Sequence, residues 1–142
     1  MAMETLADEL DTRLTQLWHV LGRRAKRELS RTAASVLATL RDSGPRRITE
    51  LADSEAIAQP TVTALVGRLE RDGFVQRAAD PEDARAVLVH LTDAGLERLN
   101  EMRAGRAALL EARLAALTED ERAALAAALP VLDKLLEEEP EE

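Results

Sequence analysis

Thr61, Thr63, Arg68 and Arg71 are the residues of this 142-residue chain best placed to do chemistry together, and that chemistry is capture of a polyanion. They lie in the stretch Gln59–Arg71, QPTVTALVGRLER. Val62, Leu65, Val66 and Leu69 fall at i, i+3, i+4 and i+7, the apolar stripe of a short helix. Pro60 suits a first helical position, where the missing N–H costs nothing, and Asp72-Gly73 supplies the stop. The opposite face carries Ala64, Gly67, Arg68 and Arg71, flanked by Thr61 and Thr63, without a carboxylate. A helix laid on a polyanion needs small residues for close approach, hydroxyls for base edges or phosphates, and arginines for phosphate charge. The same face would also serve an ordinary solvated helix with a basic side.

Covalent chemistry finds no support. There is no Gly-rich phosphate loop, no nucleophile beside a base, and no paired His or Cys, so no catalytic residues are expected. Cysteine is absent, which removes disulfides, thiol redox sensing and thiolate metal sites. His19 and His90 are the only imidazoles and lie far apart, so neither a metal site nor a cofactor is expected.

The net charge of −8 argues at first against nucleic acid, but its distribution reverses the argument. Residues 119–142 hold nine acids and two bases, net −7, which leaves −1 for all that precedes. Between Gly22 and Arg47 stand eight bases and two acids, net +6. A basic face, not the chain total, is what a polyanion meets. The same run could equally be helix C-terminal cations favoured by the dipole. No apolar run of membrane-spanning length and no signal-peptide pattern is present, so a soluble, cytoplasmic protein with no membrane partner is expected.

The elements that must position the basic helix follow in order. Residues 4–27 read as one long helix with Leu6, Leu10, Leu14, Leu17 and Leu21 near a heptad seam that wants a partner. Residues 31–42 form a second helix capped by Ser30, with Ala34, Val36, Leu37 and Leu40 mostly inward. Thr49 is expected to cap a short third helix, Glu50 to Ser54, and residues 55–58 to turn into the basic helix. Two short helices across a tight turn make a helix-turn-helix pattern. Phe74–Arg77 and Val87–Leu91 read as strands around the loop AADPEDARA, a hairpin "wing" with Asp80, Asp83 and Arg85 at its tip. An Asp–Arg pair there is either a plain surface ion pair or a carboxylate that orients Arg85 into a minor groove. Thr92 caps a helix running to about Leu117. Thr118 and Glu121 form a capping box for a last helix, which Pro130 should kink or break.

These residues resemble the MarR family of bacterial transcriptional regulators. The likeness covers nearly the whole chain and is strongest from Leu37 to Gly95. ITELA (48–52), QPTVTALVGRLERDGFVQR (59–77), DPEDAR (80–85) and LTDAG (91–95) carry it. The helix-turn-helix alone is moderately specific; a DxxDxR wing followed by LTxxG is strongly so. Ala84 departs mildly from the usual wing, which has Gly or arginine there.

The resemblance implies an obligate homodimer whose first and last two helices interlock, and winged helices that read double-stranded DNA at a pseudo-palindromic operator. The fold expected is therefore mainly α with a small β-hairpin wing: a winged helix-turn-helix domain plus a helical dimerisation region. Its divisions are an N-terminal dimerisation helix (1–28), the DNA-binding domain (30–92), C-terminal dimerisation helices (93–137) and an acidic disordered tail (138–142). By position, Gln59, Pro60, Thr61, Thr63 and Arg68 match residues that enter the major groove or hold its phosphates. Arg85 matches the wing arginine of the minor groove, and Asp83 its orienting acid. Arg46 and Arg47 could clamp backbone phosphate or be solvated turn charge.

The expected function is a sequence-specific regulator, a repressor released by a small aromatic or phenolic ligand. Trp18 and His19 would stand where such a ligand's cleft lies, or else fill core and rim. A winged-helix module that binds another protein, and a DNA-binding dimer without a ligand, are the alternatives.

Overall fold

The computed structural model describes residues 1–22 and 29–137. Arg23, Arg24, Lys26, Arg27 and Glu28 of the basic run, the end of the first expected helix and the 138–142 tail lie outside the described residues. The chain divides into two compact units, Met1–Gly105 and Arg106–Glu142.

In the first unit, α1 spans Met3–Gly22 and α2 Arg31–Ser43. Ser30 caps α2 as expected, its Oγ accepting from the Ala33 N–H at 3.1 Å. Helix α2 ends at Gly44, whose φ of 75° is the left-handed conformation that only glycine adopts without strain. Ala33, Val36, Leu37 and Leu40 are the buried residues of α2, so Ala33 takes the inward place expected of Ala34. Strand β1 is Arg46–Arg47, α3 is Ile48–Glu55 and α4 is Gln59–Arg71. Two strands follow, β2 at Val75–Ala79 and β3 at Val87–Leu91, before α5 at Asp93–Leu114.

The sheet runs β1-β3-β2, all antiparallel. Two-residue β1 was not legible as a strand: it pairs Arg46 with Val89 and Arg47 with Leu88, partners more than forty residues along the chain. The expected cap at Thr49 is also corrected. Helix α3 starts at Ile48, and Glu50 reaches back to accept the Arg47 N–H at 2.7 Å. That carboxylate takes over the N-terminal donor, so Thr49 needs no capping role and sits exposed inside the helix. Val36, Leu37, Leu51, Val62, Val66, Leu69 and Val89 are the most deeply buried side chains. The core thus draws on α2, α3, α4 and β3, and it leaves the outer side of α4 free.

In the second unit, α5 ends at Leu114, three residues short of the expected Leu117. Arg122 Nη1 donates to the carbonyls of Leu114 and Leu117, which gives the freed helix-end acceptors a cationic partner. Helix α6, Glu119–Leu136, opens on the expected capping box: Thr118 Oγ1 accepts from Glu121 N, and Glu121 Oε2 from Thr118 N. Pro130 does not break α6, which runs through it. Its missing donor frees the carbonyl four residues back, on exposed Ala126.

Candidate nucleic-acid interface

The four apolar residues of α4, Val62, Leu65, Val66 and Leu69, are all buried, so the helix is held by one face and offers the other. Gln59, Pro60, Thr61, Thr63, Arg68 and Arg71 are all exposed. Pro60 is the second helical residue, still within the turn whose N–H groups have no helical acceptor. The Thr63 hydroxyl donates to the Gln59 carbonyl at 2.9 Å. Its proton is thereby engaged, and what it presents outward is an acceptor, suited to an exocyclic amine of adenine or cytosine.

The basic face has one carboxylate nearby that the sequence pattern had set aside. Glu70 accepts the Arg77 N–H at 3.1 Å and lies 3.8 Å from that guanidinium. Its charge is turned to β2 and matched there. The Arg77 side chain crosses the helix at Gly67, where an added Cβ would stand 3.6 Å from Arg77 Nη2. That is an ordinary contact distance, so an alanine would fit beside the arginine there as well.

The wing loop joins Ala79 to Val87 and is closed by the Asp80 N–H on the Ala86 carbonyl at 3.1 Å. Arg85 is exposed at its far side. Asp83 does not meet the Arg85 guanidinium, as the orienting role would have it. Its Oδ1 accepts the Arg85 backbone N–H at 3.0 Å, a local turn that shapes the chain rather than aiming the side chain. Asp80 is not a tip residue either. It is 7% exposed, and its carboxylate meets Arg47 at 2.8 Å through Nε and 2.7 Å through Nη2. The Glu82 N–H and the Arg47 guanidinium hold the Asp80 carboxyl below the usual carboxylate range. Arg47, read from sequence as either a phosphate clamp or solvated turn charge, has its guanidinium engaged by Asp80. Arg46 is half-buried in β1 opposite Val89.

The corner after α4 is tied to α5. Gly73, at φ 80°, turns the chain, and the Thr92 hydroxyl donates to its carbonyl at 2.6 Å. The Thr92 N–H bonds the Phe74 carbonyl at 3.1 Å, and the Gly95 N–H bonds Thr92 Oγ1 at 3.1 Å. A Cβ on Gly95 would overlap the Phe74 carbonyl oxygen. That close approach is the physical reason for glycine in LTDAG, a role the pattern alone did not reveal.

Trp18 and His19 are both exposed. Trp18 is 43% exposed, with the Arg31 guanidinium 5.0 Å from its ring centre, a cation–π contact. His19 Nδ1 lies 2.8 Å from the Thr15 carbonyl, which can only accept, so Nδ1 carries the proton. Among the described residues no cluster of His, Asp or Glu could hold a metal ion, and no helix is long and apolar enough to cross a membrane.

A helix-turn-helix whose second helix offers hydroxyls and arginines, followed by a hairpin with an arginine at its tip, defines a winged-helix DNA-binding protein. The sequence model of the MarR family matches residues 29–87. An HTH-type transcriptional regulator of Mycobacterium leprae is 32% identical over 136 residues, 95% of either chain. A transcriptional regulator from Pseudomonas aeruginosa, known as a crystal structure, is 35% identical with a TM-score of 0.82, the match covering 95% of this chain and 96% of that one. The transcriptional repressor NicR of Pseudomonas putida is 36% identical over 89 residues, 63% of this chain and 56% of NicR. The chain belongs to the MarR family; it is a DNA-binding transcriptional regulator and not an enzyme.

Proposed function

We propose that the protein is a cytoplasmic, homodimeric repressor that holds a pseudo-palindromic operator and is released from it by a small aromatic or phenolic ligand. The observation that carries the reading is the outward side of α4. Gln59, Thr61, Thr63 and Arg68 are exposed there, with Arg85 exposed on the wing. In this reading the first turns of α4 enter the major groove, since base-edge contacts come from the N-terminal half of such a helix. Two threonines are weak base readers compared with a bidentate side chain, so Arg85 in the narrow minor groove supplies much of the discrimination through DNA shape. Residues 30–92 form the DNA-binding part, and residues 1–28 and 93–137 the dimerisation arms. The exposed apolar residues of α6 support the dimer, and NicR supports the sign of regulation. Trp18, with His19 beside it, is the aromatic surface offered to a ligand.

Fluorescence anisotropy on DNA from upstream of the protein's own gene, against random duplex at two salt concentrations, tests the reading. Tight, salt-sensitive binding with a large preference for the upstream DNA supports an autoregulating repressor. Absence of binding even at low salt would sink it.

A further inference from the structure

Asp80 is the one buried charged side chain among the described residues, and it sits beside a surface offered to a polyanion. By Coulomb's law alone a carboxylate there weakens DNA binding. Its bonds say what it does instead. Oδ1 accepts the Glu82 N–H at 2.9 Å, and Oδ2 meets both Nε and Nη2 of Arg47. Its own N–H closes the loop on Ala86, and the Ala86 N–H in turn bonds the Asp83 carbonyl at 3.0 Å. Asp83 then holds the Arg85 N–H. The backbone that carries Arg85 is therefore fixed by a short run of hydrogen bonds that begins at Asp80.

The other end of that run is Arg47. It pairs with Leu88 in the sheet and stands directly before α3, its N–H held by Glu50. Helix α3 packs on α4, so the Arg47–Asp80 contact ties the loop of Arg85 to the helix pair that carries Thr61 and Thr63. We infer that Asp80 is a positioning residue for DNA recognition: through Arg47 it sets where Arg85 stands relative to the recognition helix, and Arg47 acts through Asp80 rather than on phosphate. The inference rests on the proposed minor-groove role of Arg85.

The test is a double-mutant cycle on the whole 142-residue chain, read as affinity for a duplex that the wild-type protein has selected from a random-sequence library. Random duplex serves as the reference, and every variant is measured well below its own melting temperature. Asp80→Asn should weaken binding to the selected duplex about tenfold although it removes a negative charge, the opposite sign from a purely electrostatic effect. Arg85→Ala should weaken it as well, and the double variant should be no weaker than Arg85→Ala alone. Arg47→Lys, which keeps the charge on Asp80, should retain most of the affinity, and Arg47→Gln should behave like Asp80→Asn. If Asp80→Asn does not fold, Arg47→Gln takes its place in the cycle.

Asp80→Asn binding as well as or better than wild type would overturn the inference. So would losses that multiply in the double variant, since Asp80 would then act independently of Arg85. If Arg85→Ala alone changes nothing, the minor-groove reading itself fails and the inference falls with it.

Discussion

Helices α4 and α6 are both amphipathic, and they use their apolar sides in opposite ways. All four apolar residues of the α4 stripe are buried within the chain's own core. None of α6 is buried: Leu129, Leu135 and Leu136 are 59%, 65% and 80% exposed. The difference separates two kinds of offered surface. In α4 the hydrophobic requirement is met internally, so hydroxyls and guanidinium groups are what remains to offer. In α6 the apolar side is itself the offer, and burying a Leu or Val completely yields about 1.5–3 kcal/mol each. In the proposed homodimer a second copy of the chain would supply that burial.

The comparison is most directly broken on α6. Replacing Leu129→Asp and Leu132→Asp together should abolish the dimer, because each charge would have to enter an apolar interface without a partner. Sedimentation should report monomer or unfolded chain; a stable dimer would move the interface off α6. The next largest effect lies at the corner behind α4. Gly95→Val should destabilise the chain by about 3 kcal/mol, since the new side chain meets a backbone carbonyl that cannot step aside. Denaturant midpoints measure this, and an unchanged midpoint would mean that α5 is not held so close to Phe74.

A smaller effect sharpens the account of the polar side of α4. Thr63→Ala should cost less than about tenfold in affinity, because one neutral hydrogen bond is worth roughly 1 kcal/mol. The loss should fall mainly on the selected duplex, with random duplex little affected. Equal losses on both would argue against base reading by Thr63.

The smallest effect belongs to the capping box of α6. Bonds from Thr118 hold the Glu121 carboxyl below its usual range. A depressed carboxyl stabilises the fold fully above its unfolded value near pH ~4 and loses that contribution as the pH falls through its folded value. Glu121→Gln should therefore lower the melting temperature at neutral pH, with the difference shrinking as the pH falls below the range of the unfolded carboxyl. A constant gap across that range would assign the effect to packing. Asp80, in the wing, follows the same sign.

Much of this was legible because the signals are local. The limits of α4, the strand Val87–Leu91 and the caps at Ser30 and Thr118 each follow from residues within a few positions of one another. What escaped depends on distant partners. Arg46–Arg47 carries no strand period of its own; only β3 makes it a strand. Asp80 reads in sequence only as a residue of the wing tip; its partner Arg47 lies 33 residues back, beyond the reach of any local signal. Asp83 pointed to the correct loop, but its partner is the Arg85 backbone and not its charge. The placement of Gln59, Thr61 and Arg68 on an exposed side was legible from the stripe opposite them.

The knot of bonds among Gly73, Phe74, Thr92 and Gly95 bears on how a reading head of this kind could be exchanged. A graft that replaced only Gln59–Arg71 would keep the host's corner and seat a foreign helix on it. One cut from Arg46 through Gly95 would carry the corner, the wing and the arginine–aspartate tie as a single cassette. The natural seam for recombining specificities in this scaffold therefore lies one turn into α5, well beyond the end of α4.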